Sequence, residues 1–478
     1  MTRAIDRGRG LLAVMTLIVV CSGVVQGYLT PLLPAVGDRV GIGGVGQSNL
    51  YLLSQLAFAV LTPLLSRWGD IWGHRRLLRI AVAMVAAGSL LIAVRPTTAT
   101  LAVGMVLQGA VVGFFPLLAG ILRSRAPEHG RTGMSVLVGV LLLSIGTGGL
   151  VAGSLSEEHA LAGLWTAVPF GVLALAAAFA LPAGTAPRAG RFNAPAAVLL
   201  TLGLGALILL LTEGGSWGWL SVPSALGAVA ATVLLALWVR VEHRSDHPLV
   251  NLSLLRNPRL RLVSAHTFCA AFGAIGFLGA NAVFLGARPD GDGYGMGLGT
   301  QAIALVSLAM VTAGFCGSTA SPRLARRVGD RAMMVVTGCL GALGFLSLTL
   351  FHDTLPQYLV GALLVGAATG MFEAVTRTMS VEVVEETETA LSVGINELAL
   401  SLGAAIGAAL ISALFAGHPG PGGGVAGPGY LWAWGVCAAV ALGGALLGLP
   451  FRDGPRERGD GRRPATPAPG LAPAEEAA

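Results

Sequence analysis

"SRWGDIWGHRR", residues 66–76, lies between two long apolar stretches. It gathers Arg67, Asp70, His74, Arg75 and Arg76 around two glycines, Gly69 and Gly73, four positions apart. Glycine lets a backbone turn tightly and lie close to a neighbour. A short, charged, glycine-punctuated turn between apolar runs reads as the place where one membrane helix ends and the next begins.

Composition extends that reading to the whole chain. Of 478 residues, 54% are hydrophobic and 11% charged, against about 25% charged in soluble domains. So few charges cannot solvate an ordinary surface, and most of the surface faces lipid. The 69 glycines suit membrane helices, whose interfaces favour small residues. The opening "MTRAIDRGRG" and the apolar run from Leu11 share features with a signal peptide. No A-x-A cleavage site follows, and further apolar segments do, so the run reads as a first spanning helix.

A span needs about 20 mostly apolar residues. Fourteen windows qualify: 11–36, 48–66, 76–95, 100–122, 134–155, 160–182, 195–213, 219–240, 261–286, 299–321, 332–351, 356–376, 389–416 and 428–451. Arginine placement tests this count, because cytoplasmic loops carry the basic excess. All 30 basic residues are arginine. With fourteen spans and both termini inside, only Arg39, Arg95 and Arg288 fall outside. A miscount near the middle would flip every later loop and destroy the bias. The net charge of +6 is therefore a membrane-orientation signal and not a nucleic-acid footprint.

Soluble-enzyme signals fail in context. "GGSWG" (214–218) and "GIGGVG" (41–46) join apolar helices and follow no strand, the context both motifs require. No phosphate-binding P-loop occurs, so neither an enzyme nor an ATP-driven pump is expected, and no cofactor. Cys21, Cys269, Cys316, Cys339 and Cys437 are scattered through apolar segments without a CxxC pair, so neither a disulfide framework nor a metal site is expected. The opening stretch also has an echo: "PRLARRVGDRAMM" (322–334) follows the tenth window as "SRWGDIWGHRR" follows the second. Parallel repeats of this kind build transporters.

At this point the stretch resembles the loop between the second and third helices of major facilitator transporters. Gly69, Asp70, Gly73, Arg75 and Arg76 match that pattern, while Ser66, Trp68, Ile71 and His74 replace its Gly, Leu and two Arg. "WGW" (217–219) with "VEHRSDHPLVNLSLLRNP" (241–258) is similar to the fourteen-span drug:proton antiporter branch. The resemblance covers residues 11–451 and implies an all-α integral membrane fold. Two six-helix bundles (11–182 and 260–451) would flank a linker region, 183–259, holding two extra central transmembrane helices. Residues 1–10 would be a cytoplasmic N-terminal segment and 452–478 a disordered cytoplasmic tail. "MVLQG" (105–109) keeps the Gln and Gly of the family's Arg-x-x-Gln-Gly, with Met105 in the Arg position. "SIGTGGLVAG" (144–153) resembles the antiporter glycine motif through Gly148, Gly149 and Gly153. Gln26 stands where the branch often has an acid.

Ionisable groups at membrane depth cost roughly 2.5–3.5 kcal/mol on insertion scales and are functional candidates by default. Glu373 and Glu397 are the proton-coupling candidates, and Arg377 stands four residues after Glu373 on the same helix face. A structural ion pair between Glu373 and Arg377 is the competing reading. Gln26, Gln108, Asn281 and Met105 are the substrate-cavity candidates, against a plain reading as interhelical hydrogen bonding. His266 reads as a satisfied buried histidine. Gly69, Asp70, Gly73, Arg75 and Arg76 form the expected cytoplasmic gate, with the acidic run Glu382, Glu385, Glu386 and Glu388 as partner for Arg75 and Arg76. The function implied is export of a small hydrophobic or amphipathic compound across a bacterial plasma membrane, driven by protons. The partners are that compound, protons and the lipid bilayer, with the chain a monomer. Met105 and Gln26 keep open a permease without proton coupling, and the altered motifs a transport-inactive sensor.

Overall fold

The computed structural model describes residues 2–42, 44–155, 159–182, 192–245, 248–249, 252–274, 278–287, 294–384, 389–420 and 424–452. Within them the regular structure is helical. The helices are α1 (Thr2–Val40), α2 (Gly44–Trp72), α3 (His74–Val94), α4 (Thr98–Gln108), α5 (Phe114–Arg125), α6 (Gly130–Gly153), α7 (Ala160–Gly163), α8 (Ala167–Ala180), α9 (Ala194–Trp217), α10 (Val222–Arg244), α11 (Pro258–Ala274), α12 (Leu278–Gly286), α13 (Thr300–Val328), α14 (Asp330–Leu350), α15 (Leu355–Glu382), α16 (Thr389–Ala416) and α17 (Gly427–Leu447). Among the described residues, 12 helices are long and apolar enough to cross a membrane. They include α9 and α10 as separate helices, while α4 and α5, joined by a 3-10 turn at Gly109–Gly113, make one span. The windows 48–66 and 261–286 fall on α2 and on α11 with α12, where residues 275–277 lie outside the described residues. The linker residues 183–191 and the tail from 453 also lie outside them.

Local chemistry explains where helices stop. Gly73 (φ 92°) ends α2 and starts α3, and Gly329 (φ 89°) does the same between α13 and α14. Both occupy positive-φ backbone that side chains resist, so the two echoing stretches share one turn geometry. Thr97 caps α4 in a reciprocal capping box with Thr100, and Ser221 caps α10 just after Gly218 (φ 84°) breaks α9.

Helices α1 to α8 share one large apolar core, and α11 to α17 build a second around Phe284, Phe345, Tyr358, Tyr430 and Trp434. The halves meet chiefly where α6 packs on α13 and α2 on α16, with α6 also against α15 and α5 against α16. Packing between α1 and α6 is close at a missing side chain. A Cβ on Gly27 of α1 would lie 2.1 Å from the Ile145 carbonyl oxygen of α6, so the two backbones touch. Along α9, Ala196, Ala197, Leu200, Leu204 and Ile208 form a stripe buried with Ile395 of α16 and against Leu56 and Leu64 of α2. The α9–α10 hairpin therefore lies across the α2/α16 seam. Phe192, just before α9, packs on Trp68 with ring centres 4.9 Å apart and the rings tilted by 35°. Val222, Leu226, Val229, Val233 and Leu237 line an exposed face of α10 at helical spacing, the face a membrane helix turns to lipid.

Candidate functional site

Of the groups singled out in the sequence, three converge. Glu373 and Arg377 face the same way on α15, and Glu397 of α16 meets them. Arg377 Nη1 donates to Glu373 Oε2 at 2.5 Å. Its Nε and Nη2 donate to the two oxygens of Glu397 at 2.5 and 3.0 Å, a bidentate fork. All three side chains are buried. Glu397 thus has a partner on another helix, 20 residues away in sequence. The guanidinium also stacks over the Phe115 ring of α5, with Cζ 4.7 Å from its centroid. Two carboxylates share one cation, so the ionised site carries one excess negative charge inside an apolar surround.

The surrounding polar groups are spoken for, with identifiable exceptions. Thr267 of α11 donates to Asn396 Oδ1 at 2.7 Å, while Thr376 Oγ1 and Asn396 Nδ2 are buried without a hydrogen-bond partner among the described residues. His266 lies between Gly444 O (2.9 Å) and Thr337 Oγ1 (3.0 Å), fully buried, and serves α11 packing.

The substrate-cavity candidates do not gather at one place. Gln108 Nε2 donates to Tyr28 Oη (3.0 Å) and Ser89 Oγ (2.9 Å), tying α4 to α1 and α3. Gln26 bonds back to Ser22 within α1. Met105 is buried in the first-half core. Asn281 is buried beside Met310 Sδ (3.6 Å), and its Oδ1 has no hydrogen-bond partner among the described residues. In the glycine motif, a Cβ on Gly148 would meet the Val24 carbonyl oxygen at 3.1 Å, whereas Gly149 and Gly153 have room for one.

One turn of helix beyond the buried trio, the arginine-rich ends of both halves meet. Arg131, opening α6, forks onto Asp330 of α14 (2.7 and 2.9 Å) and onto Glu382, the last residue of α15 (2.6 Å from Nε). Arg123 of α5 donates to the carbonyls of Val381 and Val384 and to Thr389 Oγ1. The expected pairing of the acidic run with Arg75 and Arg76 is therefore corrected at Glu382, which is held by Arg131. Arg75 instead donates to Leu181 O, and Arg76 is exposed. The physical reason is that the C-terminal end of α8 offers unpaired carbonyls beside α3, and Arg79 takes two more, from Ala178 and Phe179. Glu385, Glu386 and Glu388 lie outside the described residues.

The opening stretch is packed rather than splayed. Asp70 and His74 pair at 3.0 Å, both buried. A Cβ on Gly69 would lie 2.3 Å from Leu117 Cδ2, and one on Gly120 would lie 2.4 Å from the His74 ring, so the stretch is seated on α5. Ser66, where the family pattern has glycine, is accommodated because α16 supplies the missing space: a Cβ on Gly394 would lie 2.4 Å from Ser66 Oγ.

The sequence singled out neither Phe115, Arg123, Arg131 nor Asp330. Only the arginines carried a signal, as positive-inside charge at helix ends.

The family model of the Major Facilitator Superfamily matches residues 15–357 and 294–475. The chain is 26% identical over 395 residues to multidrug resistance protein Stp of Mycobacterium tuberculosis, covering 80% of this chain and 71% of that protein. It is 24% identical to the multidrug efflux pump LfrA of Mycolicibacterium smegmatis, covering 87% and 82%. With the tetracenomycin C resistance and export protein of Streptomyces glaucescens it shares 32% identity over 48% of this chain and 43% of that one. Among solved structures, the human organic anion transporter MFSD10 (TETRAN) superposes with a TM-score of 0.67 at 18% identity, covering 92% of this chain and 99% of that one. At that identity the likeness concerns the fold.

Proposed function

The chain belongs to the Major Facilitator Superfamily, and on that premise we propose that it exports small hydrophobic or amphipathic compounds by alternating access, driven by protons entering against them. It is a multi-pass membrane transporter and not an enzyme. Export is the reading that relatives with efflux and resistance names support. The proposed topology has fourteen spans, with α2 and the α11–α12 pair completing the count, both termini cytoplasmic, and the arginine-rich helix ends on the cytoplasmic side.

The observation that carries proton coupling is the shared guanidinium. Arg377 holds Glu373 and Glu397 together in a buried site. Unpaired buried charge is costly, and one proton removes the excess negative charge without breaking the trio. A protonated carboxyl still accepts from the guanidinium through its carbonyl oxygen, so Arg377 stays bound to both. In this reading the Arg131–Asp330–Glu382 cluster and the stretch 66–76 form the cytoplasmic gate, closed in the conformation described. Breaking that gate lets the halves part on the cytoplasmic side, as rocking bundles require.

Drug accumulation in cells expressing the protein tests export. Expressing cells should accumulate less of at least one amphipathic compound from a broad panel, and an uncoupler should abolish the difference. Equal accumulation across the panel counts against export. A difference that survives the uncoupler favours the uncoupled permease to which Met105 and Gln26 point.

A further inference from the structure

The trio lies wholly in the second half of the chain, yet one of its contacts comes from the first. That contact is the face of Phe115, which covers Arg377 with 4.7 Å between Cζ and ring centroid. Phe115 is 4% exposed and Arg377 3%, so the pair is desolvated, the setting in which a ring face attracts a cation most strongly. The helix that carries Phe115 touches the rest of the machinery too. At 100° per residue, Phe115 and Arg123 lie roughly 80° apart on one side of α5, toward Arg377 and toward Val381, Val384 and Thr389. Leu117, roughly 200° round from Phe115, lies on the other side against Gly69, and Gly120, roughly 140° from Phe115, lies against His74. One short helix therefore joins the opening stretch, the buried trio and the ends of α15 and α16.

We propose that Phe115 is a positioning residue: its ring holds Arg377 between its two carboxylates while the cytoplasmic side is closed, and withdraws with α5 when that side opens. This rests on the reading of the trio as the proton-coupling site. The mechanism is electrostatic. The negative ring face competes with Glu373 and Glu397 for the guanidinium charge, so the carboxylates hold a proton differently with the ring present and absent. Opening the cytoplasmic side then changes proton affinity without any change in the trio's own residues. The other charged groups nearby are engaged elsewhere. Arg123 on α5 is bound to Val381 O, Val384 O and Thr389. Asp70 and His74 bind each other. Arg131 on α6 binds Asp330 and Glu382. His266 on α11 sits between Gly444 O and Thr337.

The test uses the full-length protein without native cysteines, carrying Ser135→Cys, in inverted membrane vesicles. Ser135 is buried in the crevice shared with Arg131 and Asp330, so a membrane-impermeant maleimide reports cytoplasmic opening. Phe115→Leu should raise labelling on the order of ten-fold and move the pH dependence of transport toward acid. Phe115→Tyr, which keeps the ring, should match the parent in both. If Phe115→Leu prevents folding, Phe115→Met stands in for it. Unchanged labelling, or equal effects of the Leu and Tyr variants, overturns the proposal, since packing and not the ring face would then matter. Glu373→Gln and Glu397→Gln separate the two ideas. If both leave gradient-driven transport intact, the coupling reading falls, while labelling still judges the clamp. If they abolish it and Phe115→Leu behaves as parent, only the Phe115 proposal falls.

Discussion

Arg377 is the residue on which the buried site depends. It satisfies two carboxylates and a ring from three different helices. Removing one partner of a buried pair leaves an uncompensated charge, a loss of about 3–5 kcal/mol. Arg377→Met should therefore lower the thermal midpoint of the purified protein sharply. The same change combined with Glu373→Gln and Glu397→Gln, which removes the stranded charges, should recover most of that loss. All three members of the trio are legible in the sequence as ionisable groups at membrane depth, and Glu373 and Arg377 stand one helical turn apart. The pairing of Glu397 with Arg377 is not legible, because it depends on the packing of α16 against α15. Phe115 is invisible for a different reason: a phenylalanine in a membrane helix looks the same whether it faces lipid, a core or a guanidinium. The donor group of Gln108, a substrate-contact candidate by its depth, is taken by Ser89 and Tyr28, a pairing that the sequence does not show.

At the scale of elements, the two echoing turns govern helix order. Gly73 and Gly329 both hold backbone that a side chain would strain. Alanine at either should cost about 1–3 kcal/mol, measurable as a lowered thermal midpoint, whereas alanine at Gly130, where a Cβ meets nothing, should be tolerated. The echo in the sequence announced this equivalence, and positive φ at both glycines supplies its physical basis. The partner of the acidic run was not legible. Electrostatics alone pairs Glu382 with the nearest run of arginines, but packing directs Arg75 and Arg79 to the end of α8 and leaves Arg131 facing Glu382 and Asp330. Arg131→Ala should open the cytoplasmic crevice and raise labelling of a cysteine at position 135 several-fold. The effect should shrink at high salt in the parent protein, because the cluster is partly exposed and screened.

For the molecule as a whole, the arrangement is two helical halves joined along the α6/α13 and α2/α16 seams, with the buried trio close to where they meet. The all-helical fold and most of the spans were readable from apolar length, since every backbone group in lipid must bond within its own helix. The seams were not, because they depend on which small residues face each other, as Ser66 faces Gly394. In the proposed cycle, export exchanges a compound for a proton held by Glu373 and Glu397. The most direct measurement follows proton release when an exported compound is added to purified protein in weakly buffered detergent solution. Release should be stoichiometric from the parent protein and absent from the Glu373→Gln/Glu397→Gln double variant, with binding of the compound still detectable. Equal release from both proteins would contradict that cycle.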